Sequence, residues 1–497
     1  MRALQVNFLV DKTNIRMLKI LNILERKKIA SSKELSSHTS STVRTLISDI
    51  GEIRHRFATC INLVSRADGY EMEIIDLEKF NETKREVVEY EPLYILFKAI
   101  FYGELYTVGE WTERLHLSEN SLRRYLRQIT PVLDEYGLSL TFTPLNLTGN
   151  ELNIRKFFLD FFYEVEATPH TVFPSLFISQ VVKTFFSDHV STPTGMTPGE
   201  LSYIFYITIE RVSKGNIIQV KDDLLLKFKD SIDFSNFMMI ENELYEHYSI
   251  NLPDSELLFV FLLYITRRRF QSEDEEAAFV HAYDYWPGVT EISQQYVETF
   301  HSHSPDRETI TYFTEAVFLS IKINDLLAPV LNKNLDDLNT YINDNFTEEV
   351  SKIACFFEEQ NKLLKINSGY MDNVINTLVL YNETIQDLFW QDRSKKLCFI
   401  LEGNSMMRVS LEAKAKMYLA HYHYLYFPSF LDISEDFLKE NEFDLLITNY
   451  DEFWFDINQG TETIIIKSIP DIQDWNRILN KVNPRITKLF TLNMNES

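Results

Sequence analysis

Glycine is scarce in this chain, with 13 in 497 residues. Phosphate-cradling loops and tightly turning all-β folds spend glycine where backbone must turn sharply or approach closely, so the scarcity argues against both. Cysteine is scarcer. Cys60, Cys355 and Cys398 are odd in number and widely scattered. They supply neither a disulfide framework nor a metal-ligand spacing, so a reduced, cytoplasmic protein is the expectation. Long apolar runs are missing too. The longest, Leu257-Leu-Phe-Val-Phe-Leu-Leu-Tyr-Ile265, falls far short of the roughly 18 residues a membrane-spanning helix requires. The first ten residues hold one arginine and no extended apolar stretch, so no secretory leader and no membrane partner are expected. No catalytic residue, cofactor or metal site is expected either.

A length of 497 residues is too great for one core and implies roughly three to five domains. The hydrophobic share of 45% with 25% charged is ordinary for folded protein. The net charge of −24 is unevenly spread. Residues 1–70 carry twelve basic and six acidic side chains, a net +6, which leaves −30 on the remainder. A basic head on an acidic body attracts phosphate at one end and repels it at the other.

The head contains a repeat with a period of 76 residues. Leu18, Leu21 and Leu24 fall on Tyr94, Phe97 and Ile100, and Glu34-Leu35 on Glu110-Trp111. Thr42, Thr45, Leu46, Ile50 and Ile53 fall on Ser118, Ser121, Leu122, Leu126 and Ile129. In the first copy, Ile15, Leu18, Leu21 and Leu24 share one face of a helix over 14–26. Ser31 or Ser32 caps a short second helix. A third helix over 42–56 turns Leu46, Ile50 and Ile53 inward. That leaves Thr42, Arg44, Thr45 and Ser48 outward, near the helix start. Recognition helices place such residues on base edges and phosphates. Residues 61–66 and 70–74 alternate around Asp68-Gly69, a hairpin signal, so the unit reads as a winged helix with Arg66 at the wing.

The second copy opens at Pro92, a residue suited to a first helical turn. Thr107 and Ser118 are the next caps, and Leu122, Leu126, Ile129 and Leu133 form an inner stripe. Ser118, Asn120, Ser121, Arg123, Arg124 and Arg127 remain for the outer face. Pro131 is expected to kink or shorten this helix. Residues 138–143 and 145–154 are expected to form a second wing, with Gly149–Ile154 echoing Gly69–Ile74. Residues 91–150 carry five basic and seven acidic side chains, so this copy depends on its own arginine cluster. The expected boundaries are 1–76 and 77–154, and the expected partner is double-stranded DNA.

Residues 155–385 are helical in periodicity. Phe157, Phe158, Phe161 and Phe162 are expected in the core. The acidic run Gln271-Ser-Glu-Asp-Glu-Glu276 is expected to separate two helical domains. His301 and His303 sit in a polar stretch with Pro305, which reads as a loop, with no carboxylate or cysteine at ligand spacing. From Lys395 the texture changes. Short strands at 396–401, 424–427, 444–448 and 462–467 alternate with helical segments, which suggests a small parallel α/β domain.

With these residues in view, the chain resembles the Mga/AtxA family of virulence regulators. The likeness is strongest at 42–53, at 118–129, in Leu201-Ser-Tyr-Ile-Phe-Tyr-Ile-Thr-Ile-Glu-Arg-Val-Ser-Lys-Gly215 and in residues 252–265. The resemblance implies a mainly α, multidomain protein. Two winged helix-turn-helix domains would be followed by two helical domains of the phosphotransferase-regulation (PRD) type, at 155–272 and 273–390. A small α/β domain like enzyme IIB of the sugar phosphotransferase system would occupy 391–497. It also implies a non-enzymatic, dimeric or higher-order DNA-binding activator of virulence or surface-protein genes, responsive to carbohydrate status. Further implied partners are phosphotransferase-system proteins, and the implied location is the nucleoid. A dimer would offer four reading units, which favours long, bendable sites.

The departures from the family pattern carry weight. The positions where PRD helices hold a phosphoacceptor histidine are Ile204 and Leu263 here, and His170, His189 and His247 are off-register. His301 and His303 are the residual candidates for regulatory phosphorylation. The cysteine of an enzyme IIB loop is replaced by Leu401, ahead of Glu402, and Cys398 lies inside the strand. Two alternatives remain from other classes: an RNA-binding antiterminator, whose head would be β-rich, and a phosphotransfer protein, which would need the missing acceptors.

Overall fold

The structure is a computed structural model. It describes residues 4–163, 171–189, 194–229, 231–249, 251–270, 272–302, 304, 306–388, 395–403, 405–420, 423–428, 433–449 and 461–482. It is mainly α-helical and divides into two compact units, residues 1–302 with 307–381, and 303–306 with 382–497.

The first unit opens with α1 (Lys12–Lys27), β1 (Ile29–Ala30), α2 (Ser32–His38), α3 (Val43–Arg56), β2 (Ile61–Arg66) and β3 (Gly69–Ile74). Each helix starts where the sequence supplies a cap. The Asp11 carboxylate accepts from Thr13 N and Asn14 N, Ser31 Oγ from Glu34 N, and Thr42 Oγ1 from Thr45 N. Strands β2 and β3 pair antiparallel from Ile61↔Ile74 to Arg66↔Gly69, and β1 adds to the outer edge of β3. Gly69 has φ +152°, and a Cβ there would stand 2.1 Å from Ala30 O, so only glycine lets β3 begin this close to β1. Asp49, buried on α3, is held by Arg16 of α1 through two hydrogen bonds of 2.6 and 2.8 Å.

The second copy follows as α4 (Leu77–Glu89), α5 (Pro92–Phe101), α6 (Val108–Arg114), α7 (Glu119–Asp134), β4 (Ser139–Phe142) and β5 (Leu145–Thr148). Thr107 and Glu110 form a reciprocal capping box on α6. Two expectations are corrected here. Pro131 lies within α7, which continues to Asp134, so of the kink or shortening expected there the shortening does not occur. The return strand of the wing stops at Thr148. Asn150 accepts from Leu152 N and starts α8 (Glu151–Phe162), so the echo of the first hairpin ends at Gly149, which keeps the φ of +152° seen at Gly69. A cap overrode the alternating pattern.

The helical body comprises α9 (Leu176–His189), α10 (Pro198–Ser213), α11 (Asp222–Lys229), α12 (Ile232–Met238), α13 (Ile240–Tyr248), α14 (Asp254–Thr266), α15 (Glu273–Tyr283), α16 (Pro287–Phe300), α17 (Arg307–Leu327), α18 (Asp336–Asn345), α19 (Thr347–Leu364) and α20 (Met371–Leu388). The long apolar run is α14, buried continuously from Glu256 to Thr266. Among the described residues no helix is long and apolar enough to cross a membrane. The four carboxylates of the run expected as a spacer, residues 273–276, form the first turn of α15, where they favour the positive end of the helix dipole; Gln271 lies outside the described residues. The last of the four, Glu276, is buried against Arg268 at 2.9 Å.

Helix α8 joins the head to this body. Its phenylalanines are all buried, as expected. Phe157 and Phe161 meet Phe8 and Phe97, while Phe158 and Phe162 meet Phe101. On the other side Arg155 makes a bidentate pair with Glu256 of α14 and donates to Asn216 O at 3.0 Å. Glu256 also accepts from Ile218 N at 2.9 Å, and Glu151 binds Arg211 of α10 through bonds of 2.7 and 2.8 Å.

The second unit holds β6 (Lys396–Ile400), α21 (Ser405–Leu419), β7 (Tyr424–Tyr426), α22 (Glu435–Asn441), β8 (Leu445–Thr448), β9 (Thr463–Ile465) and α23 (Ile472–Val482). All strand pairs are parallel, in the order β7-β6-β8-β9. One face packs Leu397 and Phe399 against Leu411, Ala415 and Ile478, and the other packs Cys398 and Ile400 against Phe443.

Because Arg155 and Glu256 are both fully buried, Arg155→Met should strand a carboxylate and destabilise the full chain by about 3–5 kcal/mol. In urea denaturation, Arg155→Met/Glu256→Leu should recover most of that loss. A double variant as unstable as the single one would show that packing, not charge, dominates here.

Candidate nucleic-acid interface

Helices α3 and α7 carry the outward polar faces. Their inner stripes, Leu46, Ile50 and Ile53 in one and Leu122, Leu126, Ile129 and Leu133 in the other, are buried. The periodicity therefore fixes which residues face out. Thr42 Oγ1 caps Thr45 N at 3.2 Å and lies 3.0 Å from the Thr45 hydroxyl. Ser118 Oγ caps Ser121 N at 3.1 Å and lies 2.9 Å from the Ser121 hydroxyl. The two helix starts are thus built alike, and their cap hydroxyls remain at the surface.

The charged residues differ between copies. In the first, Arg44 and Ser48 are exposed and Thr45 is half-buried. Arg66, at the wing, is exposed but pairs with Glu71 at 2.6 Å. Arg54 braces the wing, donating to Leu63 O at 2.8 Å and Ser65 Oγ at 2.9 Å. In the second copy Asn120, Arg124 and Arg127 are exposed. Arg123 pairs with Glu119 at 2.7 Å and lies over the Phe142 ring of β4, 5.7 Å from its centroid. Arg124 lies over Tyr125 at 5.0 Å. Arg123 and Arg127, one turn apart, flank a cavity of about 220 Å³ between α7 and β4, floored by Leu126, Leu133 and Leu138. Of the predicted arginine cluster, Arg123 and Arg127 line the cavity beside the wing, whereas Arg124 is engaged with Tyr125.

Three residues escaped the sequence reading. Arg54 reads in the sequence only as a positive charge, whereas in the structure it ties α3 to β2. Val43 and Ile47 were passed over, yet they are exposed on α3 beside Arg44 and Ser48. The available signal was two apolar residues four apart that fall off the inner stripe.

Ile204 and Leu263 are buried in α10 and α14. His301 does not sit in an open loop. It ends α16, its N–H donates to Val297 O at 2.8 Å, and its ring is buried 6.3 Å from that of Tyr296. His303 and His170 lie outside the described residues. His189 and His247 lie in α9 and α13. In the second unit Leu401 is buried. The Glu402 N–H donates to Asn449 Oδ1 at 2.8 Å, and Asn449 Nδ2 returns a bond to Glu402 O at 2.7 Å. This pair spans the ends of β6 and β8, close to the crevice where ligands enter sheets of this order.

Two helical units with hairpin wings, three helices in the first and a linking helix plus three in the second, followed by a helical body, define a tandem helix-turn-helix architecture. Residues 78–162 match the Mga helix-turn-helix domain. The anthrax toxin expression trans-acting positive regulator of Bacillus anthracis is 21% identical over 261 residues, 51% of this chain and 54% of its own length. The capsule synthesis positive regulator AcpA of the same organism is 19% identical over 275 residues, 54% of this chain and 56% of its own. A Streptococcus pneumoniae serotype 4 protein, named for trans-acting regulation, is 23% identical over 276 residues, 53% and 55% of the two chains. The chain spans about half the length of the curated relatives it matches. The domain match and these relatives make the chain similar to Mga/AtxA-type trans-acting regulators.

Burial pushes the Cys398 thiol up to about 12 and raises that of Cys60, whereas Cys355 is exposed. The thiolate is the reactive form. Iodoacetamide at pH 8 should therefore modify Cys355 alone in the native protein, and all three cysteines after denaturation, as read by mass spectrometry. Native labelling of Cys398 would contradict its burial.

Proposed function

We propose that this chain is a DNA-binding transcription regulator of the Mga type that acts as a homodimer and activates virulence or surface-protein genes. The observation that carries this reading is the matched construction of α3 and α7. Two helix starts 76 residues apart keep the same hydroxyl cap and the same buried stripe, and each presents polar and cationic side chains outward. Any surface helix needs a polar outer face; the repeated hydroxyl cap with cations beside it is what points to a phosphate-contacting role. The proposed contacts are Thr42, Arg44, Thr45, Ser48 and Arg66 from the first unit, and Ser118, Asn120, Ser121, Arg123, Arg124 and Arg127 from the second. The relatives named as positive regulators favour activation over repression.

The proposed organisation follows the sequence boundaries: winged units at 1–76 and 77–154, two PRD-like domains at 155–272 and 273–390, and an enzyme IIB-like domain at 391–497. In this reading the protein works in the cytoplasm on promoter DNA. The IIB-like domain serves sensing or assembly rather than phosphotransfer, because Leu401 cannot be a nucleophile and Glu402 repels phosphate.

Alanine at Arg44, Arg123, Arg124 and Arg127 together should abolish the gel shift of promoter DNA at moderate salt, because phosphate neutralisation dominates such affinity. Unchanged binding would remove the reading. Incubation with radiolabelled phosphotransferase components should leave the chain unlabelled. Robust labelling would show that a histidine accepts phosphate after all.

A further inference from the structure

The first recognition helix carries an apolar strip that its own fold does not use. Val43 and Ile47 are 53% and 58% exposed, four residues apart on the outside of α3. Gly51 continues the line one turn further, exposed, with nothing within 4 Å of where a Cβ would stand. Single exposed apolar residues are ordinary. This strip is different because of its place. It begins at the residue after the Thr42 cap and is flanked by Arg44 and Ser48, within a 70-residue segment of net charge +6. Only the inner stripe of α3 is committed to the core.

The second copy provides the contrast. Its three equivalent positions, 76 residues on, are Glu119, Arg123 and Arg127, the first two joined as an ion pair. The same strip on two similarly built helices is therefore apolar in one and charged in the other. A helix in a major groove meets phosphates along its flanks and base edges along its face. The one apolar group on those edges is the 5-methyl of thymine.

We propose that Val43 and Ile47 are specificity-determining residues that pack on thymine methyl groups in the major groove, with Gly51 allowing the helix backbone to lie close. The occupant of the strip is thymine-bearing duplex DNA. Its cationic surroundings match phosphate, and its apolar floor matches the methyl. The two units of one chain then read different chemistry. The first discriminates by methyl groups, and the second relies on arginine contacts to phosphates and polar base edges. The inference rests on the DNA-binding reading above and deepens it.

The test uses the full-length chain and a duplex selected by it from random-sequence DNA, prepared with thymine or with uracil throughout. Wild type should lose about fourfold in affinity for each methyl contacted, the value expected for one buried carbon. Val43→Ser/Ile47→Ser should bind both duplexes equally, and because both side chains are exposed it should unfold at the wild-type denaturant midpoint. Equal binding of both duplexes by wild type would overturn the inference while leaving DNA binding intact. So would a double variant that keeps the full methyl sensitivity. A wild-type chain that enriches no duplex from the random-sequence pool would instead overturn the regulator reading on which this one stands. If sedimentation without DNA shows that the double variant changes oligomeric state, the strip belongs to a second copy of the chain and the inference also fails.

Discussion

The pair between Arg155 and Glu256 is the contact on which the first unit is organised. Both side chains are removed from water, at 1% and 0% exposure. A buried ion pair holds only if the remaining donors and lone pairs are also satisfied. Here they are, by Asn216 O, Glu151 and Ile218 N. The consequence is geometric. Arg155 lies on α8, directly after the second wing, and Glu256 lies near the start of the fully buried α14. Any shift of α14 must either carry α8 with it or break the pair. The phenylalanines of α8 extend that constraint toward Phe97 and Phe101 of α5, the helix equivalent to α1 in the second copy.

Within the head, the two copies share architecture and differ in chemistry. Hydroxyl caps and inward leucine and isoleucine stripes are common to both. The outward residues diverge, from Val43, Ile47 and Gly51 to Glu119, Arg123 and Arg127. The arginines are also differently occupied. Arg54 and Arg66 are engaged within the first wing, and Arg123 is engaged with Glu119, so nominal charge overstates what is free to meet phosphate. Exposed pairs of this kind are weak, on the order of 1 kcal/mol or less, and exchange readily for a phosphate.

In the second unit β6, the first strand in sequence, is one of the two inner strands, and its end is tied to β8, the other, by the Glu402–Asn449 bonds. The sheet has the order of ligand-binding α/β folds, yet the residues at this end are a buried leucine and an exposed glutamate. That combination suits packing and surface better than anion chemistry.

Much of this was legible in the chain itself. The 76-residue repeat, the caps at Thr107 and Ser118, a serine cap at 31 or 32, the inward stripes and the parallel α/β texture after Lys395 all follow from spacing and residue type. These depend on local geometry, which a sequence encodes directly. Other features were not legible. The run at 145–154 alternates like a strand, but the Asn150 cap and the packing of α8 made its second half helical. The acidic run at 271–276 looks like a solvated spacer, but Arg268 draws Glu276 into the core. His301 sits in a polar stretch, yet its ring is buried at the end of α16. Sequence alone therefore determined the repeat, its helices and which faces turn inward. Only tertiary structure decided which arginines stay free, which apolar residues are left outside, and how α8 joins head to body. Those outcomes depend on partners far apart in the chain, whose approach no local pattern records.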